Sequence, residues 1–186
     1  MQRRPPFAVL PLGLVLLLGC AHARAETRPS GVTSPADQFV GAWRIDSTKM
    51  SSVGGGTGSG RGGGGGTGGG IGMGPSPDVL VVRRGPKTLT FDQLRGATNS
   101  RLMFLLDGGK MANTIGSGDA ARQGVYVSHW NGARLETTIT APAAKGSKEI
   151  LTYQDVRCID ESGALVIEIS IPGRPNSRRV VYKRSR

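Results

Sequence analysis

From residue 78 to the end, short runs of strand-forming residues alternate with turn signals, and no helical period appears anywhere in that stretch. Such a chain cannot bury itself as a helix bundle. The runs fall at 78–84, 87–94, 101–106, 110–115, 124–130, 134–140, 149–159, 165–171 and 178–184. An earlier octet at 39–46, Phe39-Val40-Gly41-Ala42-Trp43-Arg44-Ile45-Asp46, brings the candidates to ten. Asp107-Gly108, Asn131-Gly132 and Ser162-Gly163 separate apolar runs at the places where tight hairpins need glycine. The spacing predicts an all-β, antiparallel sandwich or barrel of about eight to ten short strands.

Two runs declare their buried face. Leu135, Thr137 and Ile139 alternate with Glu136, Thr138 and Thr140, while Leu165, Ile167, Ile169 and Ile171 alternate with Val166, Glu168 and Ser170. The odd-numbered positions are expected to point inward. If the strands close on themselves, an interior of about eight strands has room for packed side chains or for one small ligand.

The composition carries a second constraint, because 15 of the 30 glycines lie between Gly54 and Gly74. That tract buries too little apolar surface to offset its ordering entropy, so residues 51–77 read as a flexible loop within one domain. It is not a phosphate-binding loop, since no lysine occurs between Lys49 and Lys87. A single Arg61-Gly62-Gly63 falls far short of an RNA-binding repeat.

The amino terminus reads as an export signal over residues 1–25, with Arg3 and Arg4 preceding an apolar run from Phe7 to Gly19. That run is too short to span a bilayer, which takes about 20 apolar residues. Leu17-Leu18-Gly19-Cys20 has the form of a bacterial lipobox, which makes Cys20 the expected site of lipidation. The rival is Ala23-Arg24-Ala25, an ordinary cleavage site that would release a soluble periplasmic or secreted protein. Residues 26–37 then form a tether and residues 38–186 the domain. The expected setting is the cell envelope, with the membrane reached through a lipid anchor.

Several short segments, in order, resemble the lipocalin-like domains of exported bacterial proteins and lipoproteins, most of them of unknown function. Phe39-Val40-Gly41-Ala42-Trp43, followed by Asp46 and Lys49, is similar to that family's Gly-x-Trp opening. Leu106-Asp107-Gly108, His129-Trp130-Asn131-Gly132 with Leu135, Ser162-Gly163-Ala164-Leu165 and Arg179-Val180-Val181-Tyr182-Lys183-Arg184 resemble its later segments. Phe104 stands where the family commonly has tyrosine. The resemblance spans residues 38–186 and implies a lipocalin-like (calycin-like) antiparallel barrel with a long glycine-rich loop after the first strand. It also implies that Trp43 caps one end of the barrel beneath Arg179 or Arg184.

Tyr126, Trp130 and Tyr153 are the candidates for lining a cavity that holds a small hydrophobic ligand. Cys158 reads as a buried small hydrophobe on the apolar side of its strand, with no disulfide partner once either cleavage route removes or acylates Cys20. His129 is the one imidazole outside the leader region, which excludes a two-histidine metal site within one chain. Asp92, Asp107, Glu136, Asp155 and Glu168 are scattered singly, without metal-ligand spacing, so neither an enzyme nor a cofactor is expected. Loss of Arg3 and Arg4 lowers the formal charge from +11 to +9. Arg174, Arg178, Arg179, Lys183, Arg184 and Arg186 crowd the last stretch, with no acid after Glu168. On an exported protein such a patch meets anionic lipid or envelope polymer rather than nucleic acid. The alternative to a ligand carrier is thus a solid barrel whose basic surface does the work.

Overall fold

The first strand, β1 (Gly41–Ile45), pairs antiparallel with the last, β11 (Ser177–Arg184), so the two ends of the domain meet. The computed structural model describes residues 34–53, 76–174 and 177–185. The export signal with Cys20, the tether up to residue 33, the glycine tract at 54–75, residues 175–176 and Arg186 lie outside the described residues.

Between the two ends run β2 (Ser51–Val53), β3 (Val79–Arg84), β4 (Thr88–Arg95), β5 (Thr98–Leu105), β6 (Lys110–Ile115), β7 (Arg122–Asn131), β8 (Arg134–Pro142), β9 (Ile150–Ile159) and β10 (Leu165–Ser170). All but β2 follow one antiparallel path in the order β5-β4-β3-β1-β11-β10-β9-β8-β7-β6, an up-and-down sheet bent into a nearly closed barrel. Each of the ten expected runs contains a strand. The turns agree in kind, as at Asn131-Gly132, where Gly132 has φ 60°.

The barrel stops just short of closure. Among the described residues β5 and β6 share no backbone ladder, and a side chain stands in for it. The Met103 amide donates to Asn113 Oδ1 at 2.9 Å, and Asn113 Nδ2 donates to the Met103 carbonyl at 2.8 Å. An amide side chain offers the same donor and acceptor as a peptide group, so a buried Asn satisfies an edge that backbone pairing has left open.

The inward face follows the period-two reading. Leu135, Thr137, Ile139 and Leu165 are fully buried, with Ile167 and Ile171 nearly so. The apolar ones join a single core with Phe39, Trp43, Leu80, Phe91, Phe104, Tyr126, Tyr153 and Tyr182.

Four expectations need correction. Residues 51–53, read as loop, add β2 to β11, with Ser51 opposite Arg179 and Val53 opposite Ser177. No hydrophobic pattern marks so short a strand; its pairing comes from the neighbouring edge. Order begins before Gln38, because Pro35–Phe39 form a 3-10 helix that buries Ala36 and Phe39. Phe39 therefore precedes the first strand instead of opening it. Cys158 is buried, but with Ala164, Val166 and Val181 in a second small cluster, on the sheet face opposite the main core. It is also disulfide-bonded here, not the lone thiol expected.

Candidate functional site

Strand alternation sorts the inward side chains of β9, β10 and β11 into layers along the barrel. Arg178, Val180 and Tyr182 share one face of β11, opposite Ile169, Ile167 and Leu165 of β10, which stand in turn opposite Asp155, Arg157 and Ile159 of β9. One end holds aromatic rings, the middle a charged pair and the other end an open mouth.

At the closed end Trp43 is fully buried and its Nε1 donates to the Phe39 carbonyl at 2.8 Å. The Arg184 guanidinium lies 4.4 Å from the Trp43 ring centroid, and its Nη1 and Nη2 donate to the carbonyls of Val40 and Gln38, each at 2.9 Å. Gly41 makes that approach feasible: its φ is 137°, and a Cβ there would lie 2.9 Å from Arg184 Nη1. Of the two arginines considered for this place, Arg184 occupies it. Arg179 faces the other side of β11 and pairs with Glu168 at 3.2 Å.

In the middle, Arg157 and Asp155 form a bidentate pair with the side chains only 3% and 1% exposed. Nε donates to Oδ1 at 2.9 Å and Nη2 to Oδ2 at 2.7 Å. The guanidinium faces Phe91 and Phe104, with their ring centroids at 4.3 and 4.4 Å. Its Nη1 is buried with no hydrogen-bond partner. Taken one acid at a time, the sequence hides this pair. The signal was present, since Tyr153, Asp155, Arg157 and Ile159 share one parity on a strand, and two opposite charges at i and i+2 facing a core must satisfy each other.

Above this layer lies a cavity of about 760 Å³. Its apolar wall includes Leu80, Leu102, Ile115, Ile167 and Val180; Tyr126, Tyr182, Asp155 and Arg157 supply its polar inner groups. Burial pushes the Tyr126 phenol well above its ordinary value, and burial likewise raises Tyr182 to about 12. Tyr182 donates to the Pro77 carbonyl at 3.3 Å. At the mouth stand Arg95, Arg101, Arg122 and Arg178.

Of the three aromatics expected to line a cavity, Tyr126 does so. Trp130 does not, because it lies at the end of β7 beside a hairpin and packs edge-on against Phe39, ring centroids 5.6 Å apart, at the closed end. Tyr153 is fully buried in the main core and does not line the cavity; its hydroxyl is 3.5 Å from Arg122 Nη2.

The carboxy-terminal basic residues that are described do not form one patch, since consecutive residues of a strand point to opposite faces. Arg174 pairs with Glu149 at 3.6 Å, Arg179 with Glu168, and Lys183 with Asp46 at 2.9 Å, while Arg184 covers Trp43. Among those described, Arg178 alone turns to the cavity. Among the described residues no group of three His, Cys, Asp or Glu is placed to hold a metal ion.

No protein-family model matches this chain, and no curated protein matches it in sequence. The barrel does match solved structures. The REP1-NXSQ fatty acid transporter superposes with TM-score 0.52 at 11% identity, over 81% of this chain and 98% of the other. Wild-type fluorescent protein UnaG gives 0.51 at 17% identity, over 81% and 99%. Apo lipid binding protein 8 of Caenorhabditis elegans gives 0.52 at 11% identity, over 80% and 96%. At such identities the likeness establishes the fold alone, a nearly closed antiparallel, lipocalin-like barrel similar to proteins whose names describe fatty-acid transport and lipid binding.

Proposed function

We propose that this chain is an exported cell-envelope lipoprotein, anchored through Cys20, whose barrel carries a small, largely apolar ligand and performs no catalysis. The observation that supports the reading is the cavity of about 760 Å³ inside the barrel, since a solid barrel acting only through its surface would have its interior filled by side chains. The names of the similar structures point the same way, towards binding and transport. The anchor rests on the Leu17-Leu18-Gly19-Cys20 tetrad at the end of the apolar run, and the lipocalin-like lipoprotein family is proposed on the ordered motifs from Gly41 to Arg184. Lipidation of Cys20 and a disulfide between Cys20 and Cys158 exclude each other, so the linkage at Cys20 is the test of the anchor.

Native mass spectrometry of protein purified in mild detergent from its own envelope tests both parts. The expected result is a diacylated amino-terminal Cys20 and a retained small molecule that organic extraction removes. Recovery of an empty barrel that also fails to bind a fluorescent fatty-acid probe would overturn the carrier. A mature amino terminus at Glu26, a Cys20 found in disulfide linkage, or a Cys20→Ser protein that stays in the membrane fraction would overturn the anchor.

A further inference from the structure

The cavity is lined by five arginines and one acid, and the acid is already engaged. Among the described residues its ionisable lining, tyrosines aside, is Arg95, Arg101, Arg122, Arg157, Arg178 and Asp155. Asp155 gives both oxygens to Arg157, so that pair is neutral as a unit and sits in the middle of the barrel. A ligand carboxylate reaching Arg157 would find the guanidinium against the rings of Phe91 and Phe104, Nε and Nη2 taken, and Nη1 buried. It would also come to rest beside the Asp155 carboxylate in a poorly screened interior, where like charges repel strongly. The deep charged pair is therefore a floor, not a head-group site.

The mouth has the opposite character. Arg178 points inward from β11, holds the Ser76 hydroxyl and is half-buried; Arg95, at the end of β4, lies on the same cavity. Burial lowers the Arg178 pKa; Tyr182 opposes that effect and the charge of Arg95 adds to it, so the two guanidinium groups feel each other across the mouth. Arg122 adds a third charge, held by the Pro142 carbonyl at 2.7 Å. Arg101 contributes least, because it shares Asp92 with Arg83 on the outer wall. Guanidinium groups match carboxylate and phosphate geometry, and at a rim where Arg178 is half-buried and Arg95 exposed the attraction is sensitive to salt.

We infer that the cavity takes an anionic amphiphile head-outward, its carboxylate or phosphate held at the rim by Arg95 and Arg178, and its chain lying between Leu80, Leu102, Ile167 and Val180 above the Arg157–Asp155 floor. This inference rests on the carrier reading and adds to it the polarity and direction of the ligand.

The test measures the binding of dodecanoate, dodecyl phosphate and dodecanol to the full mature protein by calorimetry, before and after the double change Arg95→Gln and Arg178→Gln. The expected result is a tenfold or greater loss for at least one of the two anions at low salt, shrinking in 1 M NaCl, against less than a twofold change for dodecanol; the larger loss identifies the head group. A second readout does not depend on the variant folding well. With a C18 acid carrying a nitroxide at carbon 16, the methyl resonances of Leu102 and Ile167 should broaden more strongly than with the nitroxide at carbon 5. The reverse pattern, or equal losses for all three probes, overturns the head-outward site while leaving the carrier intact. Failure of the unaltered protein to bind any of the three overturns the carrier reading and this inference with it.

Discussion

Arg184, on the last strand, lies 4.4 Å over the ring of Trp43 on the first, and the two are direct partners in the β1–β11 ladder. The contact joins the two ends of the domain at the closed end of the barrel. Replacing Trp43 with Ala should cost about 3–5 kcal/mol, as expected for a large buried aromatic. A double-mutant cycle between Trp43 and Arg184 in urea should give a coupling above about 0.5 kcal/mol, in the range for a cation over an aromatic face. The same cycle with Arg179 should give none, because that side chain faces Glu168.

The buried Arg157–Asp155 pair should behave asymmetrically. Either Asp155→Asn or Arg157→Met alone strands a charge among Phe91, Phe104 and Tyr126, and should lower stability by about 3–5 kcal/mol. Combining Asp155→Leu with Arg157→Met, which replaces both charges by apolar side chains, should restore most of the loss. Denaturant midpoints of the three proteins decide it, and a double change as damaging as the worse single one would refute it.

Asn113 bridges the one seam that backbone pairing leaves open among the described residues. Asn113→Ala should cost about 1–3 kcal/mol, since both the amide and the carbonyl of Met103 lose their partner. Amide hydrogen exchange at Met103 should accelerate far more than at Leu102, whose strand pairs with β4. Uniform acceleration across β5 would mean instead that the whole strand has loosened.

Asp46 should set part of the acid limit of stability. The Thr48 hydroxyl, at 2.6 Å, and then Lys183 Nζ, at 2.9 Å, hold its carboxyl at about 2, below an ordinary 3.8. The folded state thus binds this proton less readily than the unfolded chain does. The stabilisation is complete above about pH 4 and disappears as the pH falls towards 2. Melting temperatures measured between pH 5 and 2 should fall less steeply for Asp46→Asn than for the natural protein.

What was legible in the amino-acid sequence is what depends on local order. The odd-numbered positions 135–139 and 165–171 alternate with a period of two, so burial of one face dictates both strand and facing without reference to any neighbour. Turn dipeptides such as Asn131-Gly132 limit where strands end, because only a few residues accept a positive φ. The site was decided elsewhere. Cavity walls and mouth are assembled from eight strands, so that Arg95 and Arg178 meet only because β4 and β11 curve round one interior, and no spacing along the chain records that curvature. Likewise the terminal run of arginines reads as one patch in one dimension. In three dimensions the pleat sends Arg178 into the cavity, Arg179 to Glu168 and Arg184 onto Trp43. Sequence determines which side of its strand a residue occupies; which partner waits on that side depends on the register and closure of the whole sheet, and these are properties of long-range packing.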